Sequence, residues 1–104
     1  MARMVVIYKT PSDKAEFDKH YYEVHIPLAK GLPGLEKYEV STEPVLTMGF
    51  ASDTYLVAIL SFPSLESMKE AFATEVGKAC AVDRRILASD EKVQIFLFDE
   101  KRLI

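Results

Sequence analysis

The amino-acid sequence predicts an α+β fold, the ferredoxin-like plait, in which both helices cover one face of a four-stranded antiparallel sheet. Four short runs rich in Val, Ile, Tyr and Phe have the length and composition of strands. Two longer stretches repeat an apolar residue every three or four positions, which is typical of helices. Both halves of the chain share the plan strand–helix–strand and no linker divides them, so we expect one domain over residues 1–104.

The first half begins with an apolar run over Arg3–Lys9, which predicts a strand buried on both faces. Asp13 followed by Glu16 has the pattern of a helix N-cap with its reciprocal partner. Because Pro27 disfavours helical angles in the residue before it, we expect this helix to end or kink near His25. Its predicted apolar face contains Phe17, Tyr21, Val24 and Leu28.

The second strand is predicted over residues 35–41, and its three charged side chains suit a sheet edge. A loop is predicted over residues 43–53, and its hydrophobic side chains are Val45, Leu46, Met48 and Phe50. Because exposed apolar groups need cover, we expect this loop to touch the mouth of a pocket or a partner subunit.

The third strand is predicted over residues 55–62 and the fourth over residues 93–98. Between them, Ser64 is a predicted N-cap, and a helix with a break near Gly77 follows. Its predicted apolar face contains Leu65, Met68, Phe72, Ala79, Val82, Ile86 and Leu87.

Right-handed crossovers between these elements place the first and third strands in the centre of the sheet and the second at an edge. The helices then cover one sheet face only. Both alternate sets of side chains in the first strand are apolar, so the other face is apolar as well. Because monomers rarely expose such a face, we expect a homodimer.

Composition excludes several classes of function. The net charge of −3 argues against a nucleic-acid partner, and no run of 18 apolar residues predicts a membrane span. The N-terminus has no signal-peptide pattern, and the lone Cys80 suggests a reducing compartment, so we expect a cytoplasmic protein. The sequence has neither zinc-ligand spacing nor a glycine-rich phosphate loop, so we expect no metal and no cofactor.

The segments Tyr8–Asp13, Phe17, Tyr21–Ala29 and Leu32–Tyr38 form a recognisable combination, and weaker similarity lies at Phe62–Glu66 and Ala81–Asp83. Through these residues the first 40 positions resemble the EthD family of the dimeric α/β barrel superfamily. The resemblance implies a dimeric barrel that holds a small organic ligand. Proteins of that superfamily include muconolactone isomerases, polyketide cyclases and decarboxylases, small monooxygenases and haem-degrading enzymes. The family name comes from an accessory component of an ether-degrading oxygenase system.

His25 is the candidate catalytic residue. It lies at the margin of the apolar helix face, near a helix C-terminus, and histidine suits proton transfer near neutral pH. It also belongs to the most recognisable motif of the resembled family. The alternative is a histidine that caps the last carbonyls of the helix and packs beside Pro27.

The candidate ligand-binding residues are Tyr8, Tyr38, Gln94 and Phe96. Tyr8 ends a buried strand, where its hydroxyl could orient a ligand oxygen, although such a tyrosine can equally serve packing. Gln94 alternates with Phe96, so both contact a ligand if their side of the strand faces the barrel interior. If it does not, Gln94 pairs with another polar group or faces solvent.

Other polar residues suggest no chemistry from the sequence alone. His20 lies with Glu16 and Glu23 on a solvated helix face, and it is about 140° around the helix from His25. The two histidines are therefore not expected to share a metal. Asp83 is assigned to a solvated helix face and Cys80 to core packing.

Two functions fit this pattern. One is a cofactor-independent enzyme, an isomerase, cyclase, decarboxylase or monooxygenase, that acts on an aromatic or polyketide-like molecule. The other is a non-catalytic protein that binds a small molecule or assists an oxygenase. The position of His25 relative to a cavity discriminates between them.

Overall fold

The sheet has the strand order β2-β3-β1-β4, with all neighbouring pairs antiparallel, in a computed structural model that describes all 104 residues. The strands are β1 Ala2–Lys9, β2 Lys37–Val40, β3 Thr54–Phe62 and β4 Val93–Asp99. The predicted ferredoxin-like plait is confirmed, with β1 and β3 in the centre and the charged β2 at an edge.

The helical segments are α1 Lys14–His20, a π turn Tyr21–His25, α2 Ile26–Ala29, α3 Leu65–Ala73, α4 Glu75–Leu87 and a 3₁₀ turn Asp90–Lys92. The predicted caps are confirmed: Asp13 accepts a hydrogen bond from the backbone of Glu16, and Ser64 accepts one from that of Ser67. None of the helices combines the length and the apolar character needed to cross a bilayer.

The first helix does not end at His25 but widens into the π turn and continues through Pro27 to Ala29. The backbone N–H of Ile26 donates to the carbonyl of Tyr21, five residues earlier. Proline lacks an N–H, and its ring clashes with the carbonyl four residues before it, so an uninterrupted α-helix is unfavourable here. The wide turn accommodates the proline without breaking the helix.

The π turn changes which side chains face the sheet. Phe17, Tyr21 and His25 are buried at four-residue spacing, whereas Val24, predicted to lie on the apolar face, is 45% exposed. An extra residue in the turn rotates the following positions about the axis. His25 therefore takes the inward position that a regular α-helix would have assigned to Val24.

The inward face of α4 also differs from the predicted one. Thr74 separates α3 from α4 and caps α4 by accepting a hydrogen bond from the backbone of Gly77. The break therefore lies three residues before the predicted position, and the helix restarts with a new rotation. Cys80 and Asp83 face inward, whereas Val82 and Ile86 are exposed.

The helices cover one face of the sheet and leave the other open. The core contains the covered side chains of β1 and β3, including Val6, Tyr8, Ala58 and Leu60. On the open face, Val5 pairs with Phe96 and Arg3 with Phe98, and both phenylalanines are exposed. The loop over residues 43–53 does not line the cavity described below, and Leu46 and Met48 face solvent. Contact of this loop with a partner subunit, the other expected cover, stays a prediction.

Candidate functional site

A cavity of about 200 Å³ lies between the covered sheet face and the helices. Of its 15 lining residues, 12 are hydrophobic, so the cavity suits a mostly apolar ligand. An engineered apolar cavity of about 150 Å³ accommodates benzene, so this space suits one ring with a substituent or a small fused ring. Each strand contributes to the wall, as do the π turn, α2, α3 and α4, and the lining residues are Met4, Val6, Tyr8, His25, Ala29, Leu32, Tyr38, Ala58, Leu60, Phe72, Cys80, Ala81, Arg84, Arg85 and Ile95.

His25 forms part of the cavity wall and is only 7% exposed. Its Nδ1 lies 2.9 Å from Oδ2 of Asp83, and its ring stacks on Tyr21 with the ring centres 5.5 Å apart. The Nε2 atom has no hydrogen-bond partner in the chain, and it is not fully buried. That nitrogen is therefore the ring atom available to a ligand.

Asp83 is buried and lies between two histidines. Its Oδ1 is 2.8 Å from Nε2 of His20, and its Oδ2 bonds His25. The π turn brings the two imidazoles to one carboxylate, although a regular α-helix would separate them by about 140°. His20 faces the surface beside Glu16 and Glu23, so the cluster runs from solvent to the cavity.

Burial sets the charge of this cluster. Desolvation lowers the pKa of His25 below its usual value of 6.5 and outweighs the opposing hydrogen bond to Asp83. Burial acts to raise the pKa of Asp83, but the hydrogen bonds from His20 and His25 are together stronger and hold it below 3.8. At neutral pH the carboxylate is ionised, and neutral His25 donates its Nδ1–H to it. The lone pair of Nε2 is then free to accept a proton.

Tyrosines form a second polar group beside His25. The hydroxyls of Tyr21 and Tyr38 lie 2.8 Å apart, and burial raises the pKa of Tyr38 to about 12. Tyr8 packs edge-on against Tyr21, and burial raises its pKa as well. The Tyr8 hydroxyl has no hydrogen-bond partner in the chain, and its oxygen is not fully buried. Both lining hydroxyls, those of Tyr8 and Tyr38, stay protonated at neutral pH.

Arg84 and Arg85 complete the lining at the end of α4. The side chain of Arg84 is 13% exposed, and its guanidinium donates to the carbonyl of Ala88 and to Asp90. Arg85 is largely exposed at the rim. No carboxylate lines the cavity, because Asp83 lies behind His25 and Asp90 lies outside.

The structure brings three of the sequence-predicted site residues together: His25, Tyr8 and Tyr38 all line the cavity. It separates the other two, since Gln94 and Phe96 pair with Ile7 and Val5 and face the open side of the sheet. A ligand in this cavity does not reach them. The predicted core position of Cys80 is confirmed, and its thiol also borders the cavity.

Sequence reasoning missed Asp83, His20 and Arg84 as parts of the site. Asp83 is not on a solvated face as expected, because the break at Thr74 turns it inward. His20 lies at the surface beside Glu16 and Glu23 as expected, but its Nε2 also bonds Asp83. The adjacent Asp83, Arg84 and Arg85 on a helix with buried neighbours were the available signal. No group of three or more His, Cys, Asp or Glu side chains is placed to hold a metal ion.

The fold and the cavity define this chain as a ferredoxin-like protein with an internal site of small-molecule size. Residues 9–91 match the sequence model of the EthD domain, and the chain belongs to the EthD family. It is 31% identical over 100 residues to an uncharacterised 11.0 kDa protein encoded between thcB and thcC in Rhodococcus erythropolis, with 96% of each chain covered. It is also 31% identical to the crystal structure of an EthD family protein from Bacillus halodurans, with a TM-score of 0.87 and 97% and 99% of the two chains covered.

Two more distant structures share the fold. SnoaB from Streptomyces nogalater, a cofactor-independent oxygenase, is 18% identical, with a TM-score of 0.68 and 99% and 95% of the chains covered. A dimeric ferredoxin-like protein from Thermobifida fusca is 10% identical, with a TM-score of 0.67 and 93% and 88% of the chains covered. These two likenesses show the shared fold.

Proposed function

We propose that this chain is a cofactor-independent enzyme in which His25 removes a proton from a small ring compound held in the cavity. The observation that carries the proposal is the buried imidazole at the cavity wall, with Nδ1 held by Asp83 and Nε2 free. A base must be unprotonated and close to the proton it abstracts; burial lowers the pKa of His25, and its ring lines the cavity.

The proton transfer leaves a balanced charge distribution. Nε2 of His25 accepts a proton from a C–H group beside a carbonyl, and the electron pair of that C–H bond moves to the carbonyl oxygen to form an enolate. Asp83 stabilises the imidazolium, and the protonated Tyr8 hydroxyl is available to donate to the new oxyanion. Return of the proton to a different atom completes an isomerisation. The same carbanion is the starting point for cyclisation or, with O₂ as co-reactant, for oxygenation.

Deuterium exchange into 2-indanone tests this step, because the ketone has acidic C–H groups and one fused ring system of cavity size. We expect the protein to accelerate exchange in D₂O, followed by NMR, and His25→Asn to lower the acceleration by roughly 10²–10⁴. Cys80→Ala changes the same wall without removing a base, so it should retain the activity. Exchange that is equally fast with His25→Asn would exclude His25 as the base.

The second candidate function is a non-catalytic protein that binds a small molecule or assists an oxygenase. The apolar lining of the cavity favours it as much as it favours an enzyme. In that case 2-indanone should bind without accelerated exchange, and His25→Asn should change only its affinity.

We also propose that two copies pair through the open sheet face. Phe96 and Phe98 lie exposed on that face beside Val5 and Ile7, which is unfavourable in a free monomer. The fold neighbour from Thermobifida fusca is dimeric, which supports pairing of two copies. Such a dimer leaves each cavity on the helix side of its own sheet.

A further inference from the structure

We propose that the cavity selects a small weak acid, a ring compound that carries one anionic oxygen, and that Arg84 recognises this oxygen. The inference deepens the proposed function and rests on its cavity. It starts from the charges that line an otherwise apolar space. Two lining residues are arginines, and none is a carboxylate.

Arg84 is an unusual residue for such a wall. Charged side chains are seldom buried without a partner, and this one is 13% exposed. Its carboxylate partner, Asp90, is 73% exposed, so water screens that pair on the outer side. The inner side faces apolar groups, where a cation attracts an anion more strongly.

Hydrogen-bonding capacity points to the same ligand. A guanidinium has five N–H donors, and Arg84 has one hydrogen bond to Ala88 and one to Asp90. The Tyr8 hydroxyl is protonated and has no partner in the chain. The only lining side chain with an unpaired basic nitrogen is His25, at Nε2. The wall therefore offers several donors to an oxygen anion and a single acceptor to an acidic hydrogen.

A structural role alone does not account for Arg84. It does cap the carbonyl of Ala88 at the end of α4, and cations are favourable at that end of a helix. The neighbouring Arg85 could supply such a charge from the exposed rim without burying it. The burial of Arg84 against the cavity is what the capping role leaves unexplained.

Binding of a matched pair of probes tests the inference. Indane-2-carboxylate is anionic at neutral pH, and indane-2-carboxamide has the same shape without the charge. By titration calorimetry we expect the carboxylate to bind roughly tenfold to a hundredfold tighter, as one charge-assisted hydrogen bond would give. Arg84→Met should abolish the preference, whereas Lys78→Met, which removes an exposed charge from the same helix, should preserve it.

A second variant keeps the test valid if Arg84→Met does not fold. Asp90→Asn leaves Arg84 in place and removes the competing carboxylate, so affinity for indane-2-carboxylate should rise. Equal affinity for the two probes in the wild type, or a preference that Arg84→Met retains, would overturn the assignment. Unchanged affinity in Asp90→Asn would overturn it as well.

The two proposals fail separately. His25→Asn should lose exchange of 2-indanone and keep the preference for the carboxylate probe, if both proposals hold. If the wild type accelerates exchange of 2-indanone but binds the two indane probes equally, the weak-acid ligand is wrong and His25 remains the proposed base. If the wild type prefers indane-2-carboxylate but does not accelerate exchange of 2-indanone, the weak-acid ligand stands and His25 is not the base.

Discussion

Asp83 is a buried acidic residue that contacts the cavity wall through His25. A buried carboxylate is unfavourable unless donors satisfy it, and here one histidine hydrogen-bonds each oxygen. The two bonds hold Asp83 ionised and fix the orientation of His25. Stability and chemistry thus depend on the same carboxylate, as in carboxylate–histidine pairs generally.

Replacing Asp83 with Asn keeps the shape and removes the charge. We expect Asp83→Asn to lower the free energy of unfolding by about 1–3 kcal/mol, because two hydrogen bonds to a buried anion are weakened. Exchange of 2-indanone should also slow, since the imidazolium loses its counter-charge. Urea unfolding and NMR exchange measure the two effects. Asp90→Asn, at an exposed carboxylate, is the control, and similar losses in both variants would contradict the argument.

At the residue scale the sequence indicated His25, Tyr8 and Tyr38 but not their partners. His25 was predicted because a motif and an expected helix end coincide there, although the helix continues to Ala29. Asp83 is 58 residues away in the chain, and no local pattern records that the two meet. Gln94 could not be assigned to a face, because alternation along a strand shows which residues share a side and not which side is covered.

The break between α3 and α4 determines the geometry of the site at the level of elements. Gly77 packs against the end of α3, and a Cβ atom added there would lie 2.4 Å from both the carbonyl oxygen of Ala71 and the Cα of Phe72. Backbone atoms cannot yield as a flexible side chain can. This close approach fixes the position of α4 against α3, and α4 carries Cys80, Asp83 and Arg84.

Gly77→Ala should therefore destabilise the protein even though alanine favours helices. We expect a loss of about 1–3 kcal/mol from overpacking, seen as a lower urea midpoint. Lys78→Ala, at the next and exposed position, should change the midpoint little. A Gly77→Ala variant as stable as the wild type would mean that the two helices separate without cost.

Hydrophobic periodicity predicted every strand and both helical regions, but it did not predict how the two helices are interrupted. The π turn adds a residue to one turn of the first helix, and the break at Thr74 resets the second. Pro27 and Gly77 signalled both disturbances. Neither residue specifies by how much the following positions rotate, so Val24, Val82 and Ile86 were assigned to the wrong faces.

The stability of the whole molecule should depend on pH through His25. Its pKa is lowered on folding, so the unfolded chain binds a proton that the folded chain excludes. Stability is then full above the unfolded value of 6.5 and declines as pH falls toward the folded value. Asp83, whose pKa is also lowered, adds a second loss at more acidic pH.

Melting temperatures between pH 8 and pH 5 test this expectation. The wild type should lose stability below pH 6.5, and His25→Asn should lose less over the same range. The same decline in both proteins would assign the effect to other groups.

The open sheet face should determine the assembly. We expect sedimentation at micromolar concentration to give about twice the chain mass of 11.7 kDa. Phe96→Lys should shift the protein toward monomer, because it buries a charge in the proposed interface. Val82→Lys, on the exposed face of α4, should leave the mass unchanged. A wild-type monomer would refute the dimer.

The global topology followed from the sequence because element order and crossover handedness allow few alternatives. The cavity did not follow from it. Whether side chains from eight elements fill the space between helices and sheet depends on packing in three dimensions, and the small side chains of Ala29, Ala58 and Ala81 line the cavity. The apolar pattern that predicts a core is the same for a filled interior and a hollow one.

The hollow interior also has a thermodynamic consequence. An apolar compound in the cavity contacts side chains that surround it only in the folded state, so its binding raises the melting temperature by mass action. The chain can therefore act as its own sensor in a thermal-shift screen, in which candidate metabolites are ranked before any reaction has been identified.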